Sequence, residues 1–193
     1  GVQTCALPIW WVRGHGMAKA AVEMAGWDMA ARADGVSLSQ KLGGVRDRVP
    51  VGVSVGIKDT DEQLHEQVAG FIADGYARVK IKVKPGRDID MLSGLRERFP
   101  DTVFMADANS AYTLADVDRL KALDPLDLLM IEQPLRYDDF LHHARLQEQI
   151  ETPVCLDESI KTEWDTELAL ELGSCRIINI KPGRVGEIGR AHV

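Results

Sequence analysis

The sequence is poor in cysteine: three in 193 residues, with no CxxC spacing and no even set. That excludes a disulfide framework and a cysteine-rich zinc module, and makes a reducing compartment the expected home. Positive charge is also short. With 23 Lys+Arg against 30 Asp+Glu the net charge is −7, so no general basic field exists to hold nucleic acid or an anionic membrane. No run reaches the roughly 18 apolar residues of a membrane helix, and the N-terminus lacks the charged-then-apolar layout of a signal peptide. A cytoplasmic location is expected. What remains is ordinary globular material, 45% hydrophobic and 27% charged, in a length suited to about one domain.

The two ends stand apart. Residues 1–9 and 187–193 share no periodicity with their neighbours and resemble translated adapter DNA. They are expected to be a non-native leader and tail, with the natural protein continuing beyond each. Residues 10–50 read as a helical lead-in: 17–33 carry Ala and Met propensity and stop at Asp34-Gly35, and 37–44 form a shorter turn. Trp27, Met17, Met24 and Met29 are read as helix packing.

Residues 51–186 alternate apolar strand-like runs with amphipathic helical runs. Strands are expected at 51–57, 77–83, 103–107, 128–132, 154–157 and 176–181. Helices are expected to begin near Thr60-Asp61, Asp88, Thr113, Asp138 and Thr162, with Leu64, Val68, Phe71 and Ile72 at helical spacing in the first. Single helices between strands imply a parallel sheet covered on both faces. Lys82, Asp107, Glu132, Asp157 and Lys181 end successive strands at separations of 25, 25, 25 and 24 residues. One ionisable residue per module at the carboxyl end is the pattern of a barrel with its site on that face. An open doubly wound sheet would favour a glycine-rich turn after its first strand, and no such motif follows Ile57. The expected fold is α/β: a partial (β/α)₈ TIM-type barrel with about six of eight strands.

Three carboxylates brought together repel one another and call for a cation. Asp107, Glu132 and Asp157 are hard oxygen donors, which selects Mg²⁺, with Mn²⁺ as second choice. Taken singly, each could equally be a helix cap or a loop ion pair. Lys80 and Lys82 alternate with Val79, Ile81 and Val83, so in a barrel strand the apolar residues face the helices and the lysines face inward. Crowded beside a divalent cation, these lysines should have lowered pKa values, as a general base requires. Such a set removes a proton from the carbon next to a metal-bound carboxylate.

Lys80-Ile-Lys82, Asp107-Ala-Asn109, Ile131-Glu-Gln-Pro134, Leu156-Asp-Glu-Ser159 and Asn179-Ile-Lys-Pro-Gly183 resemble the enolase superfamily. Gly52-Val-Ser-Val-Gly-Ile57 and Asn179-Ile-Lys-Pro-Gly-Arg-Val-Gly186 are similar to its branch of o-succinylbenzoate synthases and N-acylamino acid racemases in particular. The resemblance implies Asp107, Glu132 and Asp157 as Mg²⁺ ligands, Lys82 as base and Lys80 as its helper. Lys181 would be the second acid/base or a stabilising cation, and Ser54 and Asn109 would touch the substrate. It further implies dehydration of a cyclohexadiene carboxylate through a metal-stabilised enediolate, in menaquinone biosynthesis. Racemisation of N-succinylamino acids is the alternative. Most of the N-terminal capping domain and two strands of such a protein would be missing. The expected partner is a small carboxylate substrate, with no nucleic acid and no membrane, and assembly into a homo-oligomer stays open. A third outcome is an inactive fragment whose open sheet edges aggregate. His142-His143 is read as solvated surface, because adjacent helical residues do not share a face. Cys155 and Cys175 are read as core.

Overall fold

A computed structural model describes residues 12–186; the expected leader and tail lie outside the described residues. Six strands form one sheet: β1 (Gly52–Val55), β2 (Arg78–Lys82), β3 (Phe104–Asp107), β4 (Ile131–Glu132), β5 (Val154–Leu156) and β6 (Ile177–Ile178). Their spatial order is their sequence order, and every neighbouring pair is parallel. A doubly wound sheet reverses direction at a switch point. This sheet does not, and its six strands are those of a partial β/α barrel.

Helices separate the strands: α3 (Asp61–Ala73), α4 (Ile89–Arg98), α5 (Val117–Lys121), α6 (Phe140–Gln147) and α7 (Glu163–Leu172). Local chemistry sets their starts. Thr60 caps α3 by accepting from the Gln63 N–H, and Asp61 and Glu62 place negative charge in its first turn. Leu64 and Val68, one turn apart, are its buried residues. The helix expected from Thr113 is shorter than its pattern suggests: it breaks into α5 flanked by 3₁₀ turns over Leu114–Asp116 and Asp124–Leu126, the second carrying Pro125.

β4 and β6 are each two residues long, where longer runs were expected. Around β4 the hydrogen bonding extends further than the strand itself, since Leu129 N–H donates to Phe104 O and Ala106 N–H to Met130 O. The inward and outward alternation along β2 is as the sequence implied: Val79 and Ile81 are buried, while Lys80 and Lys82 remain partly open on the other face.

The described residues form two compact units. One holds the sheet and most of the helices, over residues 50–159 and 164–179. The other takes in the described lead-in from residue 12 to Val49, Ile160–Glu163 and Ile180–Gly186. In this second unit α1 (Gly16–Ala33) packs on α8 (Pro182–Val185), and α2 (Leu38–Lys41) opens with a capping box between Ser37 and Gln40. The methionines of α1 do not pack as expected. Met17, Met24 and Met29 are exposed; the helix buries the small Ala20 and Ala31 instead. No helix among the described residues is long and apolar enough to cross a membrane.

Candidate active site

The parallel ladder places the polar residues. Lys82 is in register with Asp107, and Asp107 with Glu132, so three successive strands end level. Lys80 lies one inward-facing position earlier on β2. Its Nζ reaches Glu132 Oε1 at 2.8 Å and Asp107 Oδ2 at 3.1 Å. Lys82 Nζ donates to the same Asp107 oxygen at 2.8 Å and to Asn109 Oδ1. Asp107 and Glu132 are each 2% exposed, so these are charge-assisted contacts in a setting of reduced dielectric. Beneath them a cavity on the inner face is lined by Ser54, Lys80, Met105, Met130, Glu132 and Cys155.

Burial pushes the Glu132 carboxyl up from its ordinary value; Lys80 pulls it back in part, and Asp107 and Asp157 add to the rise. Burial alone would lower Lys80, but Glu132 and then Asp107 outweigh it and hold its ammonium above the ordinary lysine value. Here the lysine itself serves as the counter-charge to the two carboxylates.

Asp157 follows β5 by one residue and is buried, its backbone N–H donating to Gln133 Oε1. Asn109, in a left-handed backbone conformation at φ 42°, spans two loops: its side chain accepts from Lys82 and donates to Glu158 Oε1 at 3.0 Å. Ser54 is in register with Lys80 on the neighbouring β1. Lys181 departs from expectation. It ends no strand but caps α8, three residues past β6, with extended backbone ahead of Pro182, and it falls in the second unit. A residue before proline is biased to extended backbone, and proline readily opens a helix, so Lys-Pro reads as a helix start.

No group of three or more His, Cys, Asp or Glu side chains among the described residues is arranged to hold a metal. Lys80 pairs with both Asp107 and Glu132, and Lys82 pairs with Asp107. The donor chemistry nonetheless fits a hard divalent cation. One ammonium nitrogen already touches both Asp107 and Glu132, so these carboxylates converge within reach of a single charge. Glu158 Oε2 is also buried with no hydrogen-bond partner, a state that calls for a cation or donor.

Four contributors lacked assigned roles in the sequence: Gln133, Glu158, Ser159 and His143. The first three lie inside the quoted motifs, one residue from an ionisable neighbour, and that adjacency was the available signal. His143 corrects an expectation outright. It is fully buried, its Nε2 accepting from Leu135 N–H at 3.2 Å and its Nδ1 2.6 Å from Asp139 O. The helix turns it under the loop after β4, leaving only His142 partly exposed. Cys155 and Cys175 are buried as expected, and burial raises both thiols.

Fold and site together define a β/α-barrel protein whose lysines and carboxylates share the strand ends. Residues 63–192 match the family described as enolase C-terminal domain-like, and residues 4–43 match the mandelate racemase / muconate lactonizing enzyme N-terminal domain. The chain belongs to the enolase superfamily. It is 56% identical over 180 residues to an o-succinylbenzoate synthase of Geobacillus stearothermophilus, covering 93% of this chain and 48% of that protein. An N-succinylamino acid racemase of an Amycolatopsis species is 51% identical over 184 residues, covering 93% and 50%. An enolase-superfamily structure from Listeria innocua superposes with a TM-score of 0.91 at 45% identity, over 96% of this chain and 50% of that one. A racemase from Streptomyces coelicolor with bound magnesium does so at 0.85 and 28% identity, over 92% and 51%. The chain spans about half the length of the curated relatives it matches.

Proposed function

We propose that this chain carries the proton-abstracting half of a Mg²⁺-dependent o-succinylbenzoate synthase acting in menaquinone biosynthesis. The observation that carries the reading is the convergence of Lys80, Lys82, Asp107 and Glu132 at level strand ends. Asp107, Glu132 and Asp157 would hold the Mg²⁺, which supplies Lewis-acid stabilisation of negative charge on a substrate carboxylate. Lys82, oriented by Asp107 and Asn109, takes the proton from the carbon beside that carboxylate when its amine is free. The electron pair of the broken C–H bond moves toward the carboxylate. The hydroxyl on the adjacent carbon then leaves with a proton returned from the lysine, so the net loss is one water. Lys80 keeps its positive charge beside Glu132 and offsets the charge that develops.

The test is dehydration of the cyclohexadiene carboxylate with Mg²⁺ by this chain and by Lys82→Ala. Loss of a positioned base is expected to lower turnover by about 10³-fold. Turnover that survives the substitution would overturn the role of Lys82. No turnover from the parent would overturn the sufficiency of these 193 residues.

Racemisation of N-succinylamino acids is the second reading, supported by the 51% identity to the Amycolatopsis racemase. It uses the same abstraction, with Lys181 as the second acid/base. Solvent deuterium entering the α position without elimination would favour it.

A further inference from the structure

The ladder between β4 and β5 stops short of the third carboxylate. Its pairs are Ile131 with Val154 and Glu132 with Cys155, and its last backbone bond runs from Gln133 N–H to Cys155 O at 2.8 Å. Past that point the Gln133 side chain carries the connection. Gln133 is fully buried, and its carboxamide is saturated. Oε1 accepts from Asp157 N–H at 3.0 Å, Ser159 N–H at 3.1 Å and Ser159 Oγ; Nε2 donates to Leu135 O at 3.3 Å and Ser159 Oγ at 2.8 Å. Its backbone carbonyl accepts from Ser110 N–H at 2.7 Å, which brings in the loop after β3. Its φ of 43° lies in the left-handed region, which a glutamine occupies only when its surroundings hold it there.

We infer that Gln133 is a positioning residue that fixes the backbone carrying Asp157 relative to Glu132, its carboxamide adding one rung where the strands part. The inference rests on the reading of these strand ends as the reacting site. Chemistry makes the amide specific. A glutamate could still accept from the two N–H groups, but it could not donate to Leu135 O, and its second oxygen would face that carbonyl. A methionine fills the space with no donor and only a weak thioether acceptor, leaving Asp157 and Ser159 N–H without the amide oxygen they now share.

The experiment compares the chain with Gln133→Glu, Gln133→Met and Ser159→Ala, each held well below its unfolding midpoint. Two signals are read: Mn²⁺ affinity, from the EPR amplitude of free Mn²⁺, and the side-chain carboxyl ¹³C resonances of Glu132 and Asp157 without metal. Both Gln133 variants are expected to weaken Mn²⁺ binding by about tenfold or more and to shift both resonances. Ser159→Ala, which keeps the backbone bonds to Oε1, should do the same in smaller measure, and it decides the matter if both Gln133 variants fail to fold. A loss of stability alone would leave the resonances of the folded fraction in place. Unmoved carboxyl resonances in a folded variant overturn the inference. If the parent binds no Mn²⁺, the metal part of the functional reading fails, and the carboxyl resonances alone decide the role of Gln133.

Discussion

Lys82 and Lys181 share a residue type and were expected in paired roles, yet the fold holds them by different means. Lys82 closes a five-residue strand whose neighbour presents Asp107 in register, and its ammonium contacts Asp107 and Asn109. Lys181 caps a four-residue helix, its carbonyl accepting from Arg184 N–H at 2.8 Å and Val185 N–H at 3.2 Å. A ladder places a side chain through backbone bonds repeated along its length. A turn places it through a few local contacts, so a single poor contact can displace it. The helix that follows Lys181 is seated by close approach: a Cβ on Gly16 would lie 2.5 Å from Arg184 O, and one on Gly183 would meet the Met17 sulfur at 2.7 Å.

The largest effect should come from breaking the strand side. Ile81 lies between the two lysines of β2 and is 1% exposed. Ile81→Ala is expected to cost about 3 kcal/mol of unfolding free energy in urea titration. A loss under about 1 kcal/mol would mean that the outward face does not anchor the lysines. The turn side is broken by Gly16→Ala. Alanine favours a helix over glycine by up to about 1 kcal/mol, whereas overpacking costs about 1–3 kcal/mol. The clash is with backbone, which yields less than a side-chain tip, so a net loss of about 1 kcal/mol is expected by the same titration. A neutral or stabilising result would show that α8 slides freely on α1 and that the turn is not anchored there.

The same contrast accounts for how much the sequence disclosed. The regular spacing of Lys82, Asp107 and Glu132 reports register directly, because each module returns the chain to the same level of a parallel sheet. The alternation along 79–83 likewise reports which side chains face the helices. The spacing of 24 residues between Asp157 and Lys181 nearly continues the series, but β6 stops at Ile178 and the proline after Lys181 opens a helix. Gln133 and Ser159 carried no periodic signal: their roles lie in hydrogen bonds between loops, and a loop contact leaves no spacing to read. His143 was misjudged on the argument that neighbours on a helix face apart. That argument is sound, but it requires one of the pair to face inward whenever the helix is packed.

His143 therefore offers the finest test of turn-held placement. Its Nε2 accepts from Leu135 N–H while its Nδ1 faces Asp139 O, a pattern that only the neutral ring with its proton on Nδ1 satisfies. Burial pushes its pKa below the ordinary 6.5; Asp139 opposes the shift and His142 adds to it. Above that ordinary value neither the folded nor the unfolded chain holds the proton, and the residue contributes no slope. As pH falls below it, the unfolded chain takes up a proton that the folded chain refuses, so stability drops. The contribution approaches about 1.4 kcal/mol per pH unit until the folded pKa is reached. Subtracting the pH profile of His143→Gln from that of the parent should isolate this one-proton slope, since the carboxylates titrate in both. A flat difference would mean that the loop after β4 opens to let the imidazole charge, and that this turn, unlike the strand beside it, yields before the proton does.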